Sequence, residues 1–197
     1  MSSQSYFAKQ AEAYDERLKS GLLGKVRNAE KDVVMEKLDP KEGEVILDIP
    51  CGSGYYASFI VAARAEVYGI DISKEMIAVF KKKGYKGETG NLEKFSVAKK
   101  FDKVLSAGGF EFCKDHQAII RNCIFHTKKN GKIVLLVPRK CFFGYLYKLY
   151  HRVVNKTNIT IFSEKEIIEL CRNNSVKHIA IQKAGLFAFV IELLIRE

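Results

Sequence analysis

The sequence predicts an α/β fold: a Rossmann-like, mostly parallel seven-stranded sheet with an antiparallel C-terminal strand and helices on both faces. Three observations predict it. Apolar runs suited to buried strands alternate with helical patterns from Val45 to Val137. The first two runs each end in an acid, Asp48 and Asp71, and the first is followed by a glycine turn at Gly52 and Gly54. Finally, residues 178–195 hold two apolar runs around a tight turn at Lys183, Ala184 and Gly185, and so short a link allows only antiparallel pairing.

Taken in order, residues 5–19 and 25–38 read as amphipathic helices, the second with Val26, Val33, Val34 and Leu38 on one side. Residues 39–43 turn the chain into the first strand, 45–49. Helix 55–63, strand 66–70, helix 74–83, strands 85–89 and 102–106, helix 115–127 and strand 132–137 follow. Ser73 and Asp115 stand where a side-chain oxygen can accept the open amides of a helix start. In the insertion that comes next, Phe143, Leu146, Tyr147 and Tyr150 fall on one helical face, with Lys140, Lys148, Arg152 and Lys156 around it. Three readings stand for residues 139–156: an aromatic stripe packed on the core, a lid over an apolar or anionic substrate, or a basic amphipathic surface for membrane or RNA. Ser163 and Glu166 form a capping box that opens a helix to about Arg172. The expected organisation is one domain: a helical cap (1–40), a cofactor-binding core (41–138), a lid insertion (139–162), and a final helix with its hairpin (163–197).

The length of 197 residues suits a single core, and 47% hydrophobic residues is ordinary for a globular chain. No apolar run approaches the ~20 residues of a membrane span. The N-terminus lacks a signal peptide's apolar centre, so the cytoplasm is the expected compartment. Five scattered cysteines and four histidines show neither disulfide nor metal-ligand spacing. The net charge of +10 invites a nucleic-acid partner. The lysine clusters at 81–86, 99–103 and 128–132 fall mostly at helix ends and turns, however, where cations suit the helix dipole, so solvated basic surface is favoured.

The two acids narrow the chemistry. In an open α/β sheet ligands bind outside the carboxyl ends of the strands. Asp71 is placed there to accept bonds from two ribose hydroxyls, and Gly52 and Gly54 let the backbone come close to a ligand. Residues 52–57 also fit the dinucleotide pattern G-x-G-x-x-A. Asp48 shifts the balance away from it, because a carboxylate at this turn repels a pyrophosphate and attracts a cation. S-adenosylmethionine carries an ammonium and a sulfonium and no phosphate.

At this point the chain resembles the class I S-adenosylmethionine-dependent methyltransferases, in the small-molecule branch that includes quinone-biosynthesis enzymes. Residues 47–54, Leu-Asp-Ile-Pro-Cys-Gly-Ser-Gly, resemble that family's first motif, D-x-G-x-G-x-G, with Pro50 in place of the first glycine. Gly69-Ile-Asp-Ile-Ser73 resembles the second, which puts Asp71 on the ribose and Ile72 beside the adenine. Gly90-Asn-Leu-Glu93 resembles the third, with Asn91 where an Asp usually meets the adenine amino group and Leu92 next to it. Residues 101–108, ending in Ala107 and Gly108, resemble the fourth, and residues 128–137 the turn and strand that follow. Phe7, Ala11, Tyr14 and Asp15 match the branch's entry pattern, F-x3-A-x2-Y-D. The resemblance implies a cofactor site of Tyr14, Asp48, Pro50, Cys51, Gly52, Gly54, Asp71, Ile72, Asn91, Leu92, Ala107 and Gly108, with S-adenosylhomocysteine as product. Pro50 has no amide to give the cofactor, so an amide from Cys51 or Gly52 is expected to do more of the work.

The implied activity is methyl transfer by in-line displacement to a small, apolar acceptor. A sulfonium donor is already activated, so alignment and exclusion of water matter most, and no triad is required. Tyr14, Glu111 and His116 are the candidates for contact with the chemistry. Alternatives from other classes are an RNA or protein methyltransferase using the basic surface, and a non-catalytic relative that keeps the cofactor site.

Overall fold

Strand β1 (Val45–Asp48) lies inside the sheet, as a run without a polar face must: Ile46 and Leu47 are both fully buried, one on each side. The computed structural model describes residues 21–172, 174 and 176–196, and the expected helix 5–19 lies outside them. Around β1 stand β2 (Glu66–Asp71), β3 (Lys86–Thr89), β4 (Phe101–Ala107), β5 (Thr127–Pro138), β6 (Val176–Ala184) and β7 (Ala188–Ile195). They form one seven-stranded sheet in the order β3-β2-β1-β4-β5-β7-β6. Strands β1 to β5 pair in parallel, and β7 enters antiparallel between β5 and β6. The predicted fold class holds, with the antiparallel strand as the last one.

Side chains alternate across the strands, so each face has its own core. On one face α1 (Gly21–Leu38), α2 (Tyr55–Ala62) and α3 (Lys74–Lys82) bring Leu38, Ile60 and Phe80 onto Ile46, Leu105 and Val134. On the other, α4 (His116–His126) and α6 (Glu164–Arg172) bring Ile119, Cys123 and Ile167 onto Val104, Ile133 and Leu135. The predicted caps form. Ser73 Oγ accepts from the Met76 amide at 3.2 Å, and Asp115 Oδ1 accepts from the Ala118 amide at 2.8 Å. At Ser163 the box closes both ways: the Glu166 amide donates to Ser163 Oγ (3.3 Å), and the Ser163 amide donates to Glu166 Oε2 (2.7 Å).

Two expectations need correction. The hairpin turn lies at residues 185–187, because Lys183 and Ala184 still pair with Phe189 and Ala188. The tip is pinned from outside, where the Arg139 amide donates to the Phe187 carbonyl at 2.7 Å. The second correction concerns α5 (Phe142–Val153), where Phe143, Leu146 and Tyr150 do not pack on the core but are exposed. Gly144 and His151 are buried instead, and Tyr147 stacks on Phe187 at 4.8 Å. Gly144 sets this rotation: a Cβ there would run into the Arg139 carbonyl, so the helix can approach the body by its glycine side.

Candidate cofactor and active site

Chain direction divides between β1 and β4, with β2 and β3 laid down on one side of β1 and β4 and β5 on the other. The carboxyl ends of β1, β2 and β4 therefore open a crevice. A cleft of about 420 Å³ occupies it, within the range of small-molecule sites. Pro50, Cys51 and Gly52 line it from the first turn; Asp71, Ile72, Asn91 and Leu92 from the second and third strand ends; and Ala107 and Gly108 from the fourth. Nine of the residues expected at a cofactor site thus meet in one place. Asp48 and Gly54 are not part of the lining, and Tyr14 falls outside the described residues.

Asp71 is fixed by its neighbours. Its Oδ2 accepts from the Gly52 amide and its Oδ1 from the Ser73 amide, both at 2.9 Å, and it is buried. Burial raises its pKa while these bonds oppose the rise. Each oxygen keeps a lone pair for a ligand hydroxyl. The glycine turn is tight for the same reason: Gly52 and Gly54 have φ of 52° and 96°, and a Cβ on Gly54 would come within 3.0 Å of the Tyr85 ring.

Asp48 is the unusual group. It is 1% exposed, and among the described residues neither of its carboxylate oxygens has a hydrogen-bond partner. Burial, together with the charge of Asp71, holds its carboxyl well above the usual range. A buried carboxylate without a partner is costly, and a cation nearby would remove the cost. A pyrophosphate would add to it. The donor set therefore fits the ammonium and sulfonium of S-adenosylmethionine.

The first-turn amides do not behave as expected. The Cys51 amide donates to the Ile70 carbonyl (2.9 Å) and the Gly52 amide to Asp71, so both are engaged within the protein. Asn91 turns its Oδ1 to the Glu93 amide at 2.8 Å. Its acceptor thus holds the loop that also places Glu93, whose Oε1 accepts from the Lys114 and Asp115 amides at 2.7 and 2.8 Å.

Neither Glu111 nor His116 lines the cleft. His116 is half-buried, with its ring 4.9 Å from Phe110 and 5.0 Å from Phe162, and burial lowers its pKa. It is a packed ring. Glu111, in the short 3-10 turn Phe110–Phe112, is buried with one oxygen unpartnered, and burial pushes its carboxyl up to about 7. Sequence reading missed what surrounds it. Glu30 on α1 is also buried and also raised to about 7 by burial, against the lowering pull of Arg27. Arg27 and Tyr56 line the cleft, and the Tyr56 hydroxyl is buried without a hydrogen-bond partner among the described residues. Residues so far apart in sequence carry no common spacing signal. No residue between Arg139 and Phe162 lines the cleft.

The basic clusters are largely engaged. Lys103 pairs with Glu44 at 2.7 Å, Lys132 with Glu192 at 3.0 Å and Lys128 with Asp102 at 2.8 Å. Lys99 lies over the Tyr68 and Phe101 rings.

A doubly wound sheet with an antiparallel seventh strand, and acids at the ends of β1 and β2, defines the class I methyltransferase architecture. The family model described as "Methyltransferase domain" matches residues 47–135. The demethylmenaquinone methyltransferase of Thermotoga maritima is 30% identical over 158 residues, covering 73% of this chain and 66% of that protein. The ubiquinone biosynthesis O-methyltransferase of Coxiella burnetii is 27% identical over 115 residues, covering 55% of this chain and 49% of that one. The chain thus spans about half to two thirds of the length of these relatives. Among solved structures, a magnesium protoporphyrin IX methyltransferase from Synechocystis with bound S-adenosylhomocysteine superposes with a TM-score of 0.74 at 16% identity, covering 98% of both chains. An S-adenosylmethionine-dependent methyltransferase of Thermotoga maritima gives 0.75 at 19%, covering 98% of this chain and 99% of that one. The chain belongs to the class I S-adenosylmethionine-dependent methyltransferases, in the family of that methyltransferase domain. No helix among the described residues is long and apolar enough to cross a membrane.

Proposed function

We propose that the protein transfers the methyl group of S-adenosylmethionine to a small, apolar acceptor in the cytoplasm. The observation that carries this reading is Asp48, a buried carboxylate with no hydrogen-bond partner among the described residues, near Asp71 at the switch point of the sheet. The quinone-biosynthesis relatives support the choice of acceptor class, as does a lining rich in Ile49, Ile70, Met76 and Phe112.

Bound there, S-adenosylmethionine would supply a methyl group activated by its sulfonium, ready for displacement by a nucleophilic atom. The work of the protein is placement. Asp71 would hold the ribose hydroxyls, and Asp48 would favour the cationic end. Ile72 and Leu92 would flank the adenine, with Asn91 at its edge. Ala107 and Gly108, at the end of β4, would border the methyl group. The apolar lining would exclude water and align the acceptor, which is most of what an activated donor needs. Neither Glu111 nor Glu30 reaches the lining, so an acceptor that needs no strong base suits this cleft best.

Calorimetry tests the reading. S-adenosylmethionine and S-adenosylhomocysteine should bind and NADH should not. Binding of NADH with no response to S-adenosylhomocysteine would overturn it.

A further inference from the structure

Helix α5 is built the wrong way round for a helix on a core. Its buried side is the glycine and histidine side, through Gly144 and His151. Its opposite side carries Phe142, Leu146, Leu149, Tyr150 and Val153, which recur at helical spacing and are all exposed. Phe142 is 72% exposed, Val153 65% and the flanking Tyr145 58%. An apolar face this large turned to water marks an interaction surface. Gly144 fixes the rotation, since a Cβ there would meet the Arg139 carbonyl and the helix cannot simply roll inward.

Charge identifies the occupant. No acidic residue occurs between Asp115 and Glu164. Arg152 and Lys156 are exposed and Lys148 half-buried beside the apolar face, and none of the ion pairs among the described residues involves them. A second copy of a chain with net charge +10 would set these cations against their own kind. An anionic lipid surface answers both features, because its acyl boundary takes the apolar face and its phosphates take the flanking cations. Phenylalanine and tyrosine suit that boundary, being apolar in body and, in tyrosine, polar at the tip.

We propose that α5 docks the protein on the surface of an anionic bilayer, with Phe142, Leu149 and Val153 in the headgroup–acyl boundary and Lys148, Arg152 and Lys156 against lipid phosphates. The helix is about 18 Å long at 1.5 Å per residue, enough to lie in the interface and too short to span it. The docking rests on this surface and not on the proposed reaction. A protein seated in this way would meet an apolar acceptor where such a molecule partitions.

The test is co-sedimentation of the full chain with vesicles of phosphatidylcholine alone and of equal parts phosphatidylcholine and phosphatidylglycerol. Binding should be confined to the anionic vesicles. The variant Phe142→Ser/Leu149→Ser should lower it about 10-fold or more, as should Arg152→Glu/Lys156→Glu. Val61→Ser, an exposed apolar site on α2, should leave it unchanged. Circular dichroism and S-adenosylhomocysteine calorimetry on the same variants report folding and the cofactor site separately. If the double variant does not fold, Phe142→Ser alone should still weaken binding measurably. Absence of vesicle binding would overturn the proposal. So would equal binding to neutral vesicles, or binding that survives the α5 variants. Loss of RNA binding or of self-association in those variants, without any vesicle binding, would assign the face to that partner instead.

Discussion

Asp71 has two roles, and a substitution should separate them. Its carboxylate accepts the Gly52 and Ser73 amides at 2.9 Å each, and also faces the cleft where ribose hydroxyls would sit. Asp71→Ala should weaken S-adenosylhomocysteine binding by about 1.5–3 kcal/mol, the scale of hydrogen bonds to a charged group. It should also lower the melting temperature, since two backbone donors lose their acceptor. Calorimetry and thermal unfolding read the two effects, and unchanged affinity in the folded variant would place the ribose elsewhere. Glu111 offers a test with pH. Its ordinary value of 4.5 is raised to about 7 by burial. Between those values the folded protein holds a proton that the unfolded chain releases, so this group's stabilisation is full below 4.5 and lost as pH rises through about 7. Glu30 follows the same sign. Glu111→Gln should flatten the decline by on the order of 1–3 kcal/mol, measured as urea midpoints at about pH 5 and pH 7.5. Parallel pH profiles would mean that Glu111 is solvated.

Elements with local signals were legible in the sequence. Ser73, Asp115 and Ser163 cap the helices that they announce, because an N-cap depends on three or four consecutive residues. The cofactor-side turn was legible for the same reason: strand, glycines and acid lie within one short stretch. The rest depended on contacts that sequence spacing does not encode. The hairpin turn moved because its tip bonds to Arg139. The α5 face inverted because Gly144 sits against a backbone carbonyl more than a full turn upstream. The raised carboxyls of Glu30 and Glu111 were invisible because burial raises both, and burial on α1 and in the turn after β4 is set by the fold and not by spacing. The capping box of α6 can be measured directly. Ser163→Ala removes the oxygen that accepts the Glu166 amide and leaves Glu166 with its pairing to Lys140. It should cost about 1 kcal/mol in urea unfolding. A loss within error would show that the Ser163 amide and Lys140, both on Glu166, hold the helix start without the hydroxyl.

Across the whole molecule, two lysines join the helical layer to the sheet. Lys103 Nζ donates to the Asp39 carbonyl at 2.6 Å and pairs with Glu44; Lys132 Nζ donates to the Lys37 carbonyl at 2.7 Å and pairs with Glu192. Both ammonium groups thus sit at the C-terminal end of α1, where open carbonyls and the helix dipole favour a cation. Part of the chain's large positive charge is therefore internal bracing. The Lys132–Glu192 pair is only 19% and 17% exposed at its side chains, so removing one partner leaves a poorly solvated charge. Lys132→Met should cost about 2–4 kcal/mol, near the range for breaking a buried pair. Lys132→Met/Glu192→Leu should recover much of it, because β5 and β7 pack apolar neighbours there. The effect should be localised as well. Hydrogen exchange should accelerate in α1, which carries Arg27 and Glu30, before it does in β1 or β4. Affinity for S-adenosylhomocysteine should change little, since Asp48 and Asp71 belong to the sheet. If exchange instead rises uniformly and affinity falls with it, α1 is not a separately anchored layer, and the cleft depends on the brace itself.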